Sequence, residues 1–154
     1  MIRLVRTNSE NPDFIKLVSD LDADLATRDG EDHAFYAQFN SIQNLNQAVV
    51  AFDDDQAVGC GAIKAFENNV AEVKRMFTKP TCRGKGIATK ILIELENWAS
   101  ELGFHSTILE TGKRQPEAIN LYLKNGYDII DNYGQYKGVD NSVCFEKKLA
   151  REKS

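Results

Sequence analysis

The stretch that decides the fold is KPTCRGKGIATKILIEL, residues 79–95. Gly84 and Gly86 stand among the basic residues Arg83, Lys85 and Lys90, where a helical pattern begins. Glycine inside a helix costs about 1 kcal/mol relative to alanine, so its place here needs a reason. The first turn of a helix carries backbone N–H groups with no intrahelical partner. The aligned peptide dipoles also give that end a partial positive charge. Together these features suit a phosphate. Glycine withholds the Cβ that would block close approach, and the three basic residues add charge. The alternative is a tight strand-to-helix turn without a ligand. Two nucleotide motifs are excluded. No G-x-x-x-x-G-K-[ST] string occurs. The glycines also do not follow the first strand of a βαβ unit, as a G-x-G-x-x-G fingerprint requires.

Downstream of the glycines, Ile87, Ile91, Leu95, Trp98 and Leu102 share one face of a long helix that Gly103 ends. Upstream, Ala48–Phe52, Val58–Phe66 and Val70–Thr78 read as three meander strands separated by Asp53-Asp54-Asp55 and Asn68-Asn69. Such a run implies an antiparallel sheet. Thr107–Thr111 is a further strand after the long helix, so residues 70–111 form a strand–helix–strand crossover with a locally parallel pair. Pro116 opens another helix, ended by Gly126, and Tyr127–Asp131 and Ser142–Leu149 are the last strands. At the other end, Ile2–Arg6 is a strand. Asn11-Pro12 starts a helix with Phe14, Leu17, Val18, Leu21 and Leu25 on one face, and a short helix with Phe35, Tyr36 and Phe39 follows. The fold class expected is α/β, a mixed sheet flanked by helices, in a single domain over residues 1–150 with a frayed end at 151–154.

Composition bounds the function. The chain has 154 residues, enough for one domain with a real core. A net charge of −4 argues against a general nucleic-acid binder. Cys60, Cys82 and Cys144 are widely spaced with no CxxC or Cys/His cluster, so no metal site is expected. No apolar run approaches a membrane span and no signal-peptide pattern opens the chain, so the expected setting is the cytoplasm.

Arg83-Gly84-Lys85-Gly86-Ile87-Ala88 matches a Q/R-x-x-G-x-G/A signature. With it, EVKRMFTKPTCRGKGIA (residues 72–88) and ILETGKRQPEAINLYLKNGY (residues 108–127) resemble the acetyl-CoA motif of the GNAT superfamily of N-acetyltransferases and the strand and helix that follow it. The likeness covers about residues 48–149. NYGQYKGVDNSVCFEKKL, residues 132–149, is similar to the C-terminus of a bacterial small-molecule subgroup.

The resemblance implies a sheet splayed between its fourth and fifth strands, with acetyl-CoA lying in the cleft as co-substrate. The turn Arg83, Gly84, Lys85, Gly86, Ile87, Ala88 and Thr89 would hold the pyrophosphate. Met76, Phe77 and Thr78 would pair with the pantetheine through their backbone. A β-bulge in that strand would aim an amide at the thioester carbonyl. Gln115 stands where the superfamily often has a cofactor-binding asparagine.

For catalysis the resemblance offers Tyr122 as the acid near the sulfur and Glu72 as the base. Glu110, at the end of the next strand, is a second carboxylate able to bind or deprotonate an amine. Each has a structural alternative: Tyr122 as a core aromatic, Glu72 as an exposed glutamate paired with Lys74 or Arg75, Glu110 as a strand-end hydrogen bond. His33 and Tyr36 fall where the acceptor pocket is expected by analogy. Cys82 is either a reactive thiol beside the helix start or a small filler. Tyr133 and Tyr136, with Gly134 and Gly138, form either a lid over the acceptor or a plain connection. The function expected is transfer of acetyl to a primary amine of a small molecule, with a peptide acceptor or a non-catalytic acyl-CoA-binding module as alternatives. A homodimer through the C-terminal strands is implied by analogy only.

Overall fold

The structure, a computed structural model, describes residues 1–29 and 45–149. The expected helix around Phe35 and Phe39, the candidates His33 and Tyr36, and the C-terminal residues 151–154 lie outside the described residues. The described residues hold seven strands: β1 (Ile2–Thr7), β2 (Gln47–Asp53), β3 (Gln56–Glu67), β4 (Val70–Thr78), β5 (Ser106–Gly112), β6 (Asp128–Ile130) and β7 (Ser142–Lys148). The described helices are α1 (Pro12–Asp29), α2 (Ile87–Glu101) and α3 (Pro116–Lys124). The strands form one sheet in the order β1-β2-β3-β4-β5-β7-β6. Only β4 and β5 run parallel; every other neighbouring pair is antiparallel.

Both faces of this sheet are covered, and the sequence shows why. Ala48, Val49, Val50 and Ala51 are all fully buried, because a strand covered on two sides reads as a continuous apolar run. Ala48 and Val50 pack with Phe14, Leu17, Val18 and Leu21 of α1. Val49 and Ala51 pack with Ile87, Ile91, Leu92 and Leu95 of α2. Fully burying each such Ile or Leu contributes about 1.5–3 kcal/mol. The Asn11 side chain caps α1 as expected, accepting from the amides of Asp13 (2.9 Å) and Phe14 (3.1 Å). Leu102 departs from expectation: it lies just past α2 and is 49% exposed. Tyr127 also precedes its strand, β6, rather than opening it.

Two features hold α2 in place. Tyr127 donates to Glu96 Oε2 (3.0 Å) and its hydroxyl lies 2.7 Å from Thr107 Oγ1, while Lys147 Nζ sits 2.8 Å from Glu96 Oε1. This ties α2 to the far half of the sheet. On the near half, Gly59 and Gly61 of β3 face the helix. A Cβ on Gly59 would stand 2.9 Å from Ile91 Cδ1 and 3.0 Å from the Phe77 carbonyl oxygen. The helix can therefore lie closer to the sheet than any side chain there would permit. Gly59→Ala is expected to destabilise the protein by about 1–3 kcal/mol through overpacking, measured as a lower urea midpoint with an unchanged m-value.

Candidate active site

The site is built where β4 and β5 part. Their ladder consists of Val70↔Ser106, Ala71↔Thr107 and Glu72↔Ile108. Beyond it both strands continue unpaired with each other, to Thr78 and Gly112. This is the splay that the resemblance implies.

β4 also carries the expected bulge. Cys60 pairs with Phe77 but Ala62 pairs with Lys74, so β4 holds one more residue than β3 between those pairs. Arg75 absorbs the extra residue with φ +59°, a left-handed conformation uncommon outside glycine. The bulge shifts the side-chain phase. Val73 and Met76 pack on the α2 face, whereas Phe77 packs on the α1 face. Arg75 reaches α1, where its Nη2 pairs with Asp22.

After β4, a short 3-10 turn over Pro80–Cys82 leads into the glycine turn. Arg83 Nε donates to the Thr78 carbonyl (3.0 Å) and closes this approach. Gly84 and Gly86 have φ of +81° and +77°, and a Cβ at either would meet nothing within 4 Å. The positive φ is thus why glycine is required, and the space beside the turn is open. The helix begins at Ile87, with Gly86 as its cap, rather than at Gly84. Its first backbone bond runs from the Lys90 amide to the Gly86 carbonyl (3.1 Å), so the preceding amides lack helical partners.

A cavity of about 410 Å³ lies among the end of β4, this turn and α3. It is lined by every expected cofactor residue except Lys85: Met76, Phe77, Thr78, Arg83, Gly84, Gly86, Ile87, Ala88, Thr89, Gln115 and Tyr122. Lys85 is exposed and does not line it. Cys82 also borders this cavity, as do Leu21 and Asp24 of α1.

A second cavity of about 120 Å³ adjoins it. Glu72, Lys74, Arg75, Glu110 and Tyr136 line it, with Leu21 and Leu25. Met76, Gln115, Ala118 and Tyr122 border both cavities. Tyr122 is 6% exposed, and its ring packs 5.7 Å from the rings of Tyr127 and Phe145. It is therefore a core aromatic and a cavity wall at once. Burial, reinforced by the negative charge of Glu110, raises its pKa well above the ordinary tyrosine value, so the hydroxyl stays protonated.

Glu72 is not an exposed strand residue; it is 6% exposed. Tyr133 donates to its Oε2 (2.7 Å) and Lys74 Nζ lies 3.5 Å from its Oε1. Its ion pair is with Lys74, because Arg75 is committed to Asp22. Ser142 donates to Glu110 Oε2 (2.7 Å). The 133–138 segment is no plain connection. Tyr136 is buried, and Tyr133 packs edge-on against Phe66 (5.1 Å) and Tyr136 (5.7 Å). Burial and the adjacent Glu72 carboxylate raise the Tyr133 pKa, keeping its hydroxyl a donor. Sequence reasoning missed Ser142, and it marked Asp20–Asp24 only as an acidic stretch suited either to a cationic substrate or to a solvated face. The pairing of Asp22 with Arg75 depends on a bulge that no periodicity marks. Among the described residues, no group of three or more His, Cys, Asp or Glu is placed to hold a metal ion.

A mixed sheet opened between its parallel strands, with a bulged strand and a glycine turn at the mouth of the opening, defines an acyl-CoA N-acyltransferase architecture. The comparisons agree. The model of the Acetyltransferase (GNAT) family matches residues 12–127, and the chain belongs to that family. An IAA acetyltransferase of Azospirillum brasilense is 39% identical over 102 residues, 66% of this chain and 67% of that protein. An uncharacterised N-acetyltransferase of Bacillus subtilis, YsnE, is 32% identical over 101 residues, 64% of this chain and 67% of its own length. A structure from Klebsiella pneumoniae, described as a candidate acyl-CoA N-acyltransferase, aligns with a TM-score of 0.82 at 30% identity, covering 97% of this chain and 99% of that one. The PaiA N-acetyltransferase of Thermoplasma acidophilum, solved with coenzyme A, shares the fold with a TM-score of 0.71 at 21% identity, covering 97% and 99%. The protein is an acetyl-CoA-dependent acetyltransferase.

The cysteines test this geometry. Cys60 and Cys144 are fully buried, and burial pushes their thiols up to about 12 and about 11, so both stay neutral at pH 8. A thiol reagent at pH 8 is expected to label Cys82 alone in the native chain and all three cysteines in denaturant, counted by mass spectrometry. Labelling of Cys60 in the native state would contradict the described core.

Proposed function

We propose that the protein transfers the acetyl group of acetyl-CoA to the amine of a small molecule. The observation that carries this reading is the meeting of two cavities at Tyr122, a large one suited to the donor and a small one suited to the acceptor. The larger cavity fits the donor on three grounds: open space beside Gly84 and Gly86, amides without helical partners, and a buried Thr78 Oγ1 with no hydrogen-bond partner. The second cavity, about 120 Å³, is small beside the roughly 300–1,000 Å³ of drug-sized sites. That favours a compact acceptor over a peptide. The A. brasilense relative, an IAA acetyltransferase by name, agrees with a small acceptor.

In this reading the turn at Arg83–Thr89 holds the diphosphate, and the backbone of Met76–Thr78 pairs with the pantetheine. An alkylamine has a pKa of about 10.4 and must lose a proton before it attacks. Glu72, assisted by Glu110, takes that proton directly or through water. The amine nitrogen bonds to the acetyl carbon, the carbon–sulfur bond breaks, the sulfur receives a proton from the Tyr122 hydroxyl, and the proton shed by the acylated nitrogen restores that hydroxyl. Lys74 and Tyr133 hold the Glu72 carboxylate in place.

Tyr122→Phe should lower kcat by about 10²-fold or more and leave acetyl-CoA affinity unchanged, measured by coenzyme A release and by calorimetry. Equal activity in the variant would remove Tyr122 from the mechanism. Gly86→Ala places a Cβ on a left-handed residue, a strain of about 1–2 kcal/mol, and should weaken acetyl-CoA binding several-fold. Acetyl-CoA should also protect Cys82 from thiol reagents. Unaltered calorimetric affinity together with undiminished labelling would sink the donor-site assignment.

A further inference from the structure

The smaller cavity holds more charge than an amine acceptor needs. Two carboxylates, Glu72 and Glu110, and two cations, Lys74 and Arg75, border it. Three of these four side chains have partners that account for them. Glu72 takes Lys74 and Tyr133, and Glu110 takes Ser142. Arg75 differs. Its side chain is 3% exposed, yet it pairs with Asp22, whose own side chain is 47% exposed. Its Nε is buried with no hydrogen-bond partner.

A buried guanidinium with an unmade donor calls for a partner, and an anion in the adjoining cavity would supply one. The bulge creates it, because the extra residue at position 75 carries the side chain to α1 beside the cavity. The planar fork of arginine matches a carboxylate in two parallel hydrogen bonds. Asp22 already offsets part of the charge, which favours a singly charged anion over a phosphate.

We infer that the acceptor is an amino acid: its carboxylate is held by Arg75 while its amine faces Glu72 and Glu110. This rests on the small-amine reading above and narrows it to a zwitterionic substrate class. The charges in the cavity are then complementary at both ends of the molecule. A plain amine would leave the Arg75 donor unmet, and a bulky peptide would not fit the space.

The test pairs each of a panel of free amino acids with its methyl ester and its decarboxylated amine, assayed by coenzyme A release. At least one free acid should exceed its ester in kcat/KM by tenfold or more. Arg75→Lys, which keeps the charge but loses the fork, and Arg75→Gln should bring that ratio to about one. Acid and ester are read on the same variant, so partial unfolding lowers both rates and leaves the ratio alone. A parent ratio near one, or a ratio that survives both substitutions, overturns the proposal. If esters and plain amines react as well as the acids, the carboxylate site falls and the small-amine reading stands. If no member of the panel releases coenzyme A, both fall together.

Discussion

Three residue pairs join β4 to β5, and then the two strands part. A parallel pair normally lies deep in a sheet, where each strand satisfies its neighbour. Parting leaves β4 from Val73 to Thr78 with an edge that β5 does not meet, in the middle of the molecule. Buried backbone groups need partners, so an internal edge persists only where water or a ligand can reach it. Both cavities border that edge, the smaller at the point of parting and the larger toward its far end. A ligand with amide groups along an extended chain can complete the ladder as an added strand would.

The fold was largely legible because its signals are local. Apolar runs bounded by Asp53-Asp54-Asp55 and Asn68-Asn69 marked β2, β3 and β4, the spacing from Ile87 to Trp98 marked α2, and Asn11-Pro12 marked the start of α1. Leu102 was misplaced because the 3.6-residue pattern runs one residue past the end of α2 at Glu101, onto the cap that precedes Gly103 at φ +94°. The glycine turn was legible too, since few other needs explain two glycines at a helix start. The resemblance of residues 72–88 and 108–127 supplied the splay, which composition and periodicity do not encode. Glu72 and Glu110 were legible as residues but not as a network. Their partners Tyr133 and Ser142 come from 61 and 32 residues away in the chain, and only the tertiary fold brings them together.

The bulge at Arg75 is what separates the two kinds of chemistry. Without the extra residue, strict alternation would put Met76 on the same face as Glu72 and Lys74, and Phe77 on the other. With it, Met76 packs toward α2 while Phe77 packs toward α1. The strand thus lines one cavity with charges up to Arg75 and the other with Met76, Phe77 and Thr78. Cys60 Sγ donates to the Arg75 carbonyl (3.4 Å), and Asp22 holds its guanidinium. A left-handed non-glycine residue costs roughly 1–2 kcal/mol, and these contacts help to hold it.

Packing on the opposite face sets where the helix amides point. Gly59 and Gly61 let Ile87, Ile91 and Leu95 sit directly on β3. Ile87 is the first residue of α2, so the depth of that contact fixes the height of the glycine turn above β4. A single Cβ at Gly59 would press on Ile91 and on the Phe77 carbonyl, which belongs to the strand that borders the cavity. Helix position and strand edge are therefore adjusted against each other by the same few atoms. Sub-ångström changes in a close-packed core are transmitted rather than absorbed. The distance between the Arg83–Thr89 turn and the β4 edge is thus a property of the core as much as of the turn. That distance decides whether one extended ligand can touch both.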